Sequence, residues 1–207
     1  MHARSINGIL EGRKTQTRRI VKPSVKGCTV GSYTNGNPLD NEVVNVQEDG
    51  DPWTDIKCPY GQPGDRLWVR ETWAMNDVEY GWGSIPKTRP PGFGEITYRA
   101  DGEWKDQFEE LDGDIPPWRP SIFMPRWASR LTLKITGIRV ERVQDISDVD
   151  CEAEGCRPST EGDGHDWLRT ENGWHRTFRQ LWDDTNGAAA WDRNEWCWCI
   201  AFKRIQN

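Results

Sequence analysis

No stretch of the 207-residue chain approaches the roughly 20 consecutive apolar residues that a membrane span needs. Only 35% of residues are hydrophobic against 29% charged, and the mean hydropathy is −0.86, so no membrane partner is expected. The first 20 residues hold His2, Arg4, Arg13, Lys14, Arg18 and Arg19 and lack the apolar centre of a secretory signal, which points to a cytoplasmic protein. A basic excess is also missing. The 27 Lys and Arg residues are outnumbered by 33 Asp and Glu, and the net charge of −6 argues against a protein that coats nucleic acid non-specifically.

Several motifs are absent as well. There is no G-x-G-x-x-G, Walker loop, H-E-x-x-H or G-x-S-x-G, so dinucleotide, NTP, zincin and α/β-hydrolase chemistries gain no support. The six cysteines match no common zinc spacing: Cys151 and Cys156 lie five apart, Cys197 and Cys199 two apart, and Cys28 and Cys58 stand alone. They are read as free thiols, with Cys197 and Cys199 on one face of a strand as small buried hydrophobes. His165 and His175 have no ligand partner at useful spacing. Neither a metal nor a cofactor is expected.

Tryptophan is what the chain has in excess. Thirteen indoles, each with a large apolar body and one N–H to satisfy, imply an indole-rich core and indole-lined pocket walls. Charge is segregated too. Residues 12–26 contain Arg13, Lys14, Arg18, Arg19, Lys22 and Lys26 and no acid, whereas residues 101–114 contain seven acids against Lys105 alone.

Periodicity places the elements. Ile6, Ile9 and Leu10 share a helical face that should end near Gly12, and the alternation from Thr15 to Ile20 predicts a strand. Residues 23–63, rich in Gly, Asn, Asp and Pro, read as a long loop insertion, closed by the turn CPYGQPGD before the strand RLWVRETW. Residues 74–117 read as a second loop insertion with a short strand at 95–99. Leu131 to Val143 alternates as one long strand, bent or bulged at Gly137. Ser147 is an N-cap for a helix through Glu154 that Gly155 would end, WHRTFRQLWD has helical spacing, and EWCWCIAFKRI is a final strand. The expectation is a single α+β domain over 1–207, a small β-barrel flanked by short helices and interrupted by two insertions.

The sharpest constellation is Gly12-Arg13-Lys14-Thr15-Gln16-Thr17-Arg18-Arg19 at a helix-to-strand junction. Lys14 and Thr17 converge if the chain turns between them. A Thr hydroxyl beside a neutral Lys amine is a nucleophile arrangement, and Arg13, Arg18 and Arg19 would supply a cationic field that depresses the lysine. Glu71 ends the RLWVRETW strand on the face opposite Arg70, where it looks into a barrel mouth or pairs with an arginine. Trp68, Trp73, Trp118 and Trp127 suit stacking on a base or packing in a core, and Arg126 and Arg130 flank Trp127 as in a nucleotide-binding loop.

The segments ILEGRKTQTRR, PGDRLWVRETW, PRWASRLTLKITGIRVERVQDIS, CEAEG and CIAFKRI together resemble the ASCH domain family. The resemblance implies a PUA-like β-barrel and leaves both insertions unaccounted for. With its W-R-P-S and M-P-R-W-A-S-R motifs, the chain is similar to the longer form common in phages and prophages. Small bacterial members are amidohydrolases that remove the acetyl group of N(4)-acetylcytidine with a Lys, a Thr three residues later and a Glu beyond the long strand. By that resemblance Lys14, Thr17 and Glu154 are the catalytic residues, with Arg19 matching the family's arginine at the end of the same strand. The substrate is then a modified cytosine nucleoside or base, bound with help from Arg19, Glu71, Trp68, Trp73, Arg126 and Trp127. The alternatives are an RNA-binding module and an RNA-cleaving enzyme, both with RNA as partner, or a phage structural or regulatory protein.

Overall fold

The computed structural model describes residues 3–22, 29–31, 43–47, 54–75, 87–89, 96–102, 118–158 and 173–205. Its element order is α1 (Ala3–Leu10), β1 (Gln16–Ile20), β2 (Thr29–Gly31), β3 (Val43–Gln47), β4 (Thr54–Lys57), β5 (Arg66–Trp68), β6 (Trp73–Met75), β7 (Ile96–Tyr98), β8 (Thr132–Arg142), α2 (Asp148–Ala153), α3 (Gly173–Asn186) and β9 (Trp196–Ile205). Helix and strand are mixed, with a curled antiparallel sheet and a few short helices, an arrangement compatible with a small β-barrel. The main sheet runs in the order β1-β9-β8-β5, and β6 and β7 form a two-stranded sheet. No described helix is long and apolar enough to cross a membrane.

The first insertion is not only loop. Residues within 23–63 form a three-stranded antiparallel sheet, β2-β3-β4, in which Val44 faces Ile56 and Val46 faces both Val30 and Thr54. Local Gly, Asn and Asp signals suggested irregular chain, but pairing between segments overrides weak local preference in short strands. The second insertion holds β7 close to its expected place, paired antiparallel with β6, and most of residues 74–117 lie outside the described residues. RLWVRETW is two strands rather than one, β5 and the start of β6, with residues 69–72 in neither.

The chain divides into two compact units. One comprises Met1–Gly12, Arg66–Leu133 and Arg204–Asn207. Its core gathers Trp73, Met75, Met124 and Ala128, with Ile96, Tyr98 and Trp127 packed against them. Helix α1 buries Ile6 and Ile9 and stops where the Gly12 N–H reaches the Ile9 carbonyl, at a Gly12 φ of +75° that glycine adopts without strain.

The other unit comprises Arg13–Asp65 and Lys134–Lys203. Its core joins Val143, Ile146, Cys151, Cys156, Phe178, Trp182, Ala190 and Cys197, so helices α2 and α3 lie on the end of β8 and the start of β9. In α3, Phe178 and Trp182 are four residues apart on the buried face. β9 lies between β1 and β8 and is covered on both faces, which is why Cys197, Trp198, Cys199 and Ile200 are all buried in succession. Along β8 the buried positions run Leu133, Ile135, then Ile138, so the alternation changes phase across Gly137.

Helix α2 starts as its sequence requires. The Ser147 hydroxyl accepts from the Asp150 N–H at 3.2 Å, with Asp148 and Asp150 at the positive end of the helix dipole. Ser147→Ala is expected to cost about 1 kcal/mol. Urea unfolding checks this: the midpoint should fall with an unchanged slope, and Ser147→Thr should stay near wild type.

Candidate functional site

The end of α2 is built to present Glu154. The Gly155 N–H donates to the Glu152 carbonyl at 2.7 Å and the Cys156 N–H to the Cys151 carbonyl at 3.1 Å, a Schellman ending with Gly155 at φ +85°. Glycine is needed there a second time, because a Cβ would come within 3.1 Å of Lys14 Cβ. The segment before β1 is pinned to this corner by the Thr15 N–H on the Ala153 carbonyl and by the Phe202 N–H on the Thr15 carbonyl, both at 2.8 Å.

Lys14 therefore meets Glu154 inside the unit. Its Nζ donates to the Glu154 carboxylate Oε2 at 2.7 Å and to the Glu154 main-chain carbonyl at 2.7 Å. Lys14 and Glu154 are each 5% exposed, so the pair is taken out of water almost completely. The ammonium also sits on a helix C-terminus, where the dipole favours a cation. A helix C-terminus disfavours a carboxylate; here the Lys14 charge offsets that cost.

Arg18 approaches the same carboxylate from the other side. Its side chain has no exposed surface; Nη1 reaches Glu154 Oε1 at 3.5 Å, and Nη2 reaches Glu141 Oε2 at 2.8 Å and Asp150 Oδ2 at 3.2 Å. The guanidinium lies 5.8 Å from the centre of the Phe178 ring. Arg139 pairs with the same two outer acids, and its Nη1 donates to the Gln16 amide oxygen at 2.9 Å. Burial alone would make Arg18 release its proton more easily, but the carboxylates of Glu154, Glu141 and Asp150 outweigh it and raise the guanidinium above its ordinary value. Asp150 moves the opposite way. Burial opposes its ionisation, yet Arg139, Arg18 and the Ser147 hydroxyl hold it below the usual carboxylate range. Burial pushes the Cys151 and Cys197 thiols up to about 12 and the Cys199 thiol higher still, so these cysteines are inert neutral groups.

Thr17 is buried on β1, and its Oγ1 accepts from Arg19 Nη1 at 2.9 Å. Arg19 also donates to the Arg18 carbonyl at 2.8 Å, which fixes the guanidinium against the hydroxyl. Alternation along the strand puts Thr17 and Arg19 on one side and Gln16 and Arg18 on the other. Of the predicted catalytic residues, then, Lys14 and Glu154 are in contact, while the hydrogen bonds of Thr17 go to Arg19 and not to Lys14. Arg13 donates to the Gly155 carbonyl at 3.4 Å. The basic stretch is thus not a continuous charged surface, because Lys14 and Arg18 are internal and neutralised.

The remaining predicted binding residues belong to the other unit. Glu71 is 1% exposed and bidentate with Arg130, Nε to Oε1 at 3.0 Å and Nη2 to Oε2 at 2.9 Å. Arg130 also reaches Asp101 at 2.6 Å and lies 4.0 Å from the Tyr98 ring centre. Glu71 is therefore one half of an ion pair. Trp73 has no exposed surface and meets Trp127 edge-on at 6.2 Å, so it packs the core and offers no face for stacking. Trp68 is half-buried, with the guanidiniums of Arg70 and Arg126 at 4.6 and 5.9 Å from its ring centre.

Sequence reasoning missed Arg18, Arg139, Glu141 and Asp150 as a group. One signal was present: Arg139 and Glu141 alternate on one face of a strand otherwise rich in buried aliphatics, which is costly unless each has a partner. Among the described residues, no three His, Cys, Asp or Glu side chains are grouped as a metal would need. Cys28 and His165 lie outside the described residues. Comparison with known proteins returned no matching family model, no matching curated protein and no matching solved structure.

Proposed function

We propose that the chain is an ASCH-type amidohydrolase with a PUA-like barrel, acting in the cytoplasm on the N(4)-acyl group of a cytosine nucleoside. The observation that carries this reading is the buried Lys14–Glu154 pair at 2.7 Å, which joins two residues 140 positions apart that the family resemblance names independently. The proposed chemistry uses the pair with its proton on the Glu154 carboxyl, which leaves Nζ as the base and the carboxyl as the acid. Thr17 Oγ attacks the acyl carbonyl carbon while Lys14 Nζ takes the hydroxyl proton. The tetrahedral intermediate then breaks its C–N(4) bond as Glu154 gives its proton to the leaving nitrogen. Water next hydrolyses the acyl-threonine ester, which releases the acid and restores the hydroxyl.

Arg19 supports the same roles. Its hydrogen bond to Thr17 Oγ1 places positive charge where alkoxide character develops, and it leaves the hydroxyl proton free to be donated. Lys14 bonds to Glu154 rather than to Thr17, and catalytic hydrogen bonds of this kind commonly tighten only around bound substrate. An RNA-binding reading is favoured by one observation, the Trp68 ring flanked by Arg70 and Arg126, and it places binding in the other unit.

Incubating the purified protein with N(4)-acetylcytidine and following the ultraviolet change to cytidine tests the reading. Turnover without added metal is the expected result. No turnover, with salt-dependent retention of single-stranded RNA that Arg70→Ala abolishes, would replace it with the RNA-binding reading.

A further inference from the structure

We propose that Arg18 is a positioning residue for Glu154, a role that rests on the amidohydrolase reading of Lys14, Thr17 and Glu154. The two oxygens of the Glu154 carboxylate face separate cations: Oε2 meets Lys14 at 2.7 Å and Oε1 meets Arg18 at 3.5 Å. A cation on each side restrains rotation of the carboxyl about its bond to Cγ and orients the oxygen that exchanges a proton with Lys14.

Glu141 and Asp150 are both paired with Arg139 as well as with Arg18, so each keeps a cation if Arg18 is lost. The contact that only Arg18 supplies is the one on Glu154 Oε1. Its burial is costly: the side chain is wholly enclosed, and its Nε has no hydrogen-bond partner among the described residues. Without Arg18, Glu141, Asp150 and Glu154 would be left with Lys14 and Arg139 alone, so the guanidinium also carries a share of stability. Arg18 is itself aimed from several elements: the Phe178 ring from α3, Asp150 from α2, Glu141 from β8, and Cys199, its register partner on β9. Arg139 steadies this frame through Glu141 and Asp150.

Steady-state kinetics on N(4)-acetylcytidine with Arg18→Met and Arg18→Lys, alongside wild type and Lys14→Ala, tests the role. Arg18→Met is expected to lower kcat about 10- to 100-fold with KM within about twofold, the signature of an interaction needed for chemistry and not for binding. Arg18→Lys should recover part of the loss, since it returns the charge without the two-pronged geometry. Arg18→Met should lower the urea midpoint and Arg18→Lys should stay nearer wild type, so kcat is read per folded molecule. A folded Arg18→Met with wild-type kcat overturns the role. So does an equal loss of kcat in both variants that follows the loss of folded protein, because Arg18 is then structural only. A wild type without turnover overturns the amidohydrolase and this role together, whereas turnover that depends on Lys14 but not on Arg18 overturns the role alone.

Discussion

Lys14→Ala is expected to lower turnover of N(4)-acetylcytidine by about 10³-fold, the middle of the range that a positioned proton-transfer group supplies. KM should change little, because two of the three Lys14 Nζ donors are held by Glu154 and the assigned role of Lys14 is proton transfer rather than nucleoside binding. The competing explanation of a loss is unfolding. Removing one member of a buried ion pair costs about 3–5 kcal/mol when the other charge is left alone. Here Glu154 keeps Arg18 at 3.5 Å, so the cost should fall below that range, though it will not vanish. The paired variant Lys14→Met with Glu154→Gln separates the two effects. It removes both charges and keeps both shapes, so it should unfold closer to wild type than Lys14→Ala does, yet remain inactive. Recovery of turnover in the paired variant would show that the pair serves only to tie β1 to the end of α2. Thr17→Ser supplies the complementary control: a hydroxyl held by Arg19 survives that change, and measurable turnover should survive with it.

How much of this was legible in the sequence depends on whether a feature is decided locally. Helix α2 was readable because Ser147, Asp150 and Gly155 each act within one turn, through a cap, a dipole and a left-handed residue. Helix α3 was readable from the spacing of Trp174, Phe178, Leu181 and Trp182, and β9 from an unbroken apolar run. The sheet β2-β3-β4 was not, although Val43, Val44 and Val46 carry a strand signal. Turn-forming residues on either side diluted it, and what defines the strands is register with segments 8 to 18 residues away.

The site divides along the same line. Lys14 and Thr17 stand out as a local motif, but the burial of Arg18 does not, because its partners lie 123, 132 and 136 residues away at Glu141, Asp150 and Glu154. In sequence, Arg18 is one of six cations in residues 12–26, and nothing local tells which of them are buried. Only the folded neighbourhood shows that it and Lys14 are internal charges, each matched by acids from α2. The same distinction decides Trp73 and Trp68. Composition made both candidates for stacking, and packing puts the first in a core and leaves the second between two arginines at the surface.

Arg130→Met should be the most destabilising single charge removal in the unit that holds Glu71, at about 3–5 kcal/mol. Glu71 is almost wholly buried, both of its oxygens are engaged by Arg130, and no other described cation is within ion-pair distance of it. Taking the guanidinium away leaves a carboxylate without compensation and uncovers the Tyr98 ring against which Arg130 lies. Asp101 loses its partner too, but it is partly exposed and water replaces most of that contact. Arg130→Met with Glu71→Gln together should recover much of the loss, since two neutral groups of similar shape carry no stranded charge. Urea unfolding of the single and paired variants reads the coupling directly. Turnover per folded molecule should be unaffected by Glu71→Gln, because the carboxylate is spent on Arg130 and has no oxygen left for a nucleobase. A Glu71→Gln variant that folds normally but binds N(4)-acetylcytidine at least tenfold more weakly would return Glu71 to the substrate-binding set and make its ion pair a holding position that the ligand displaces.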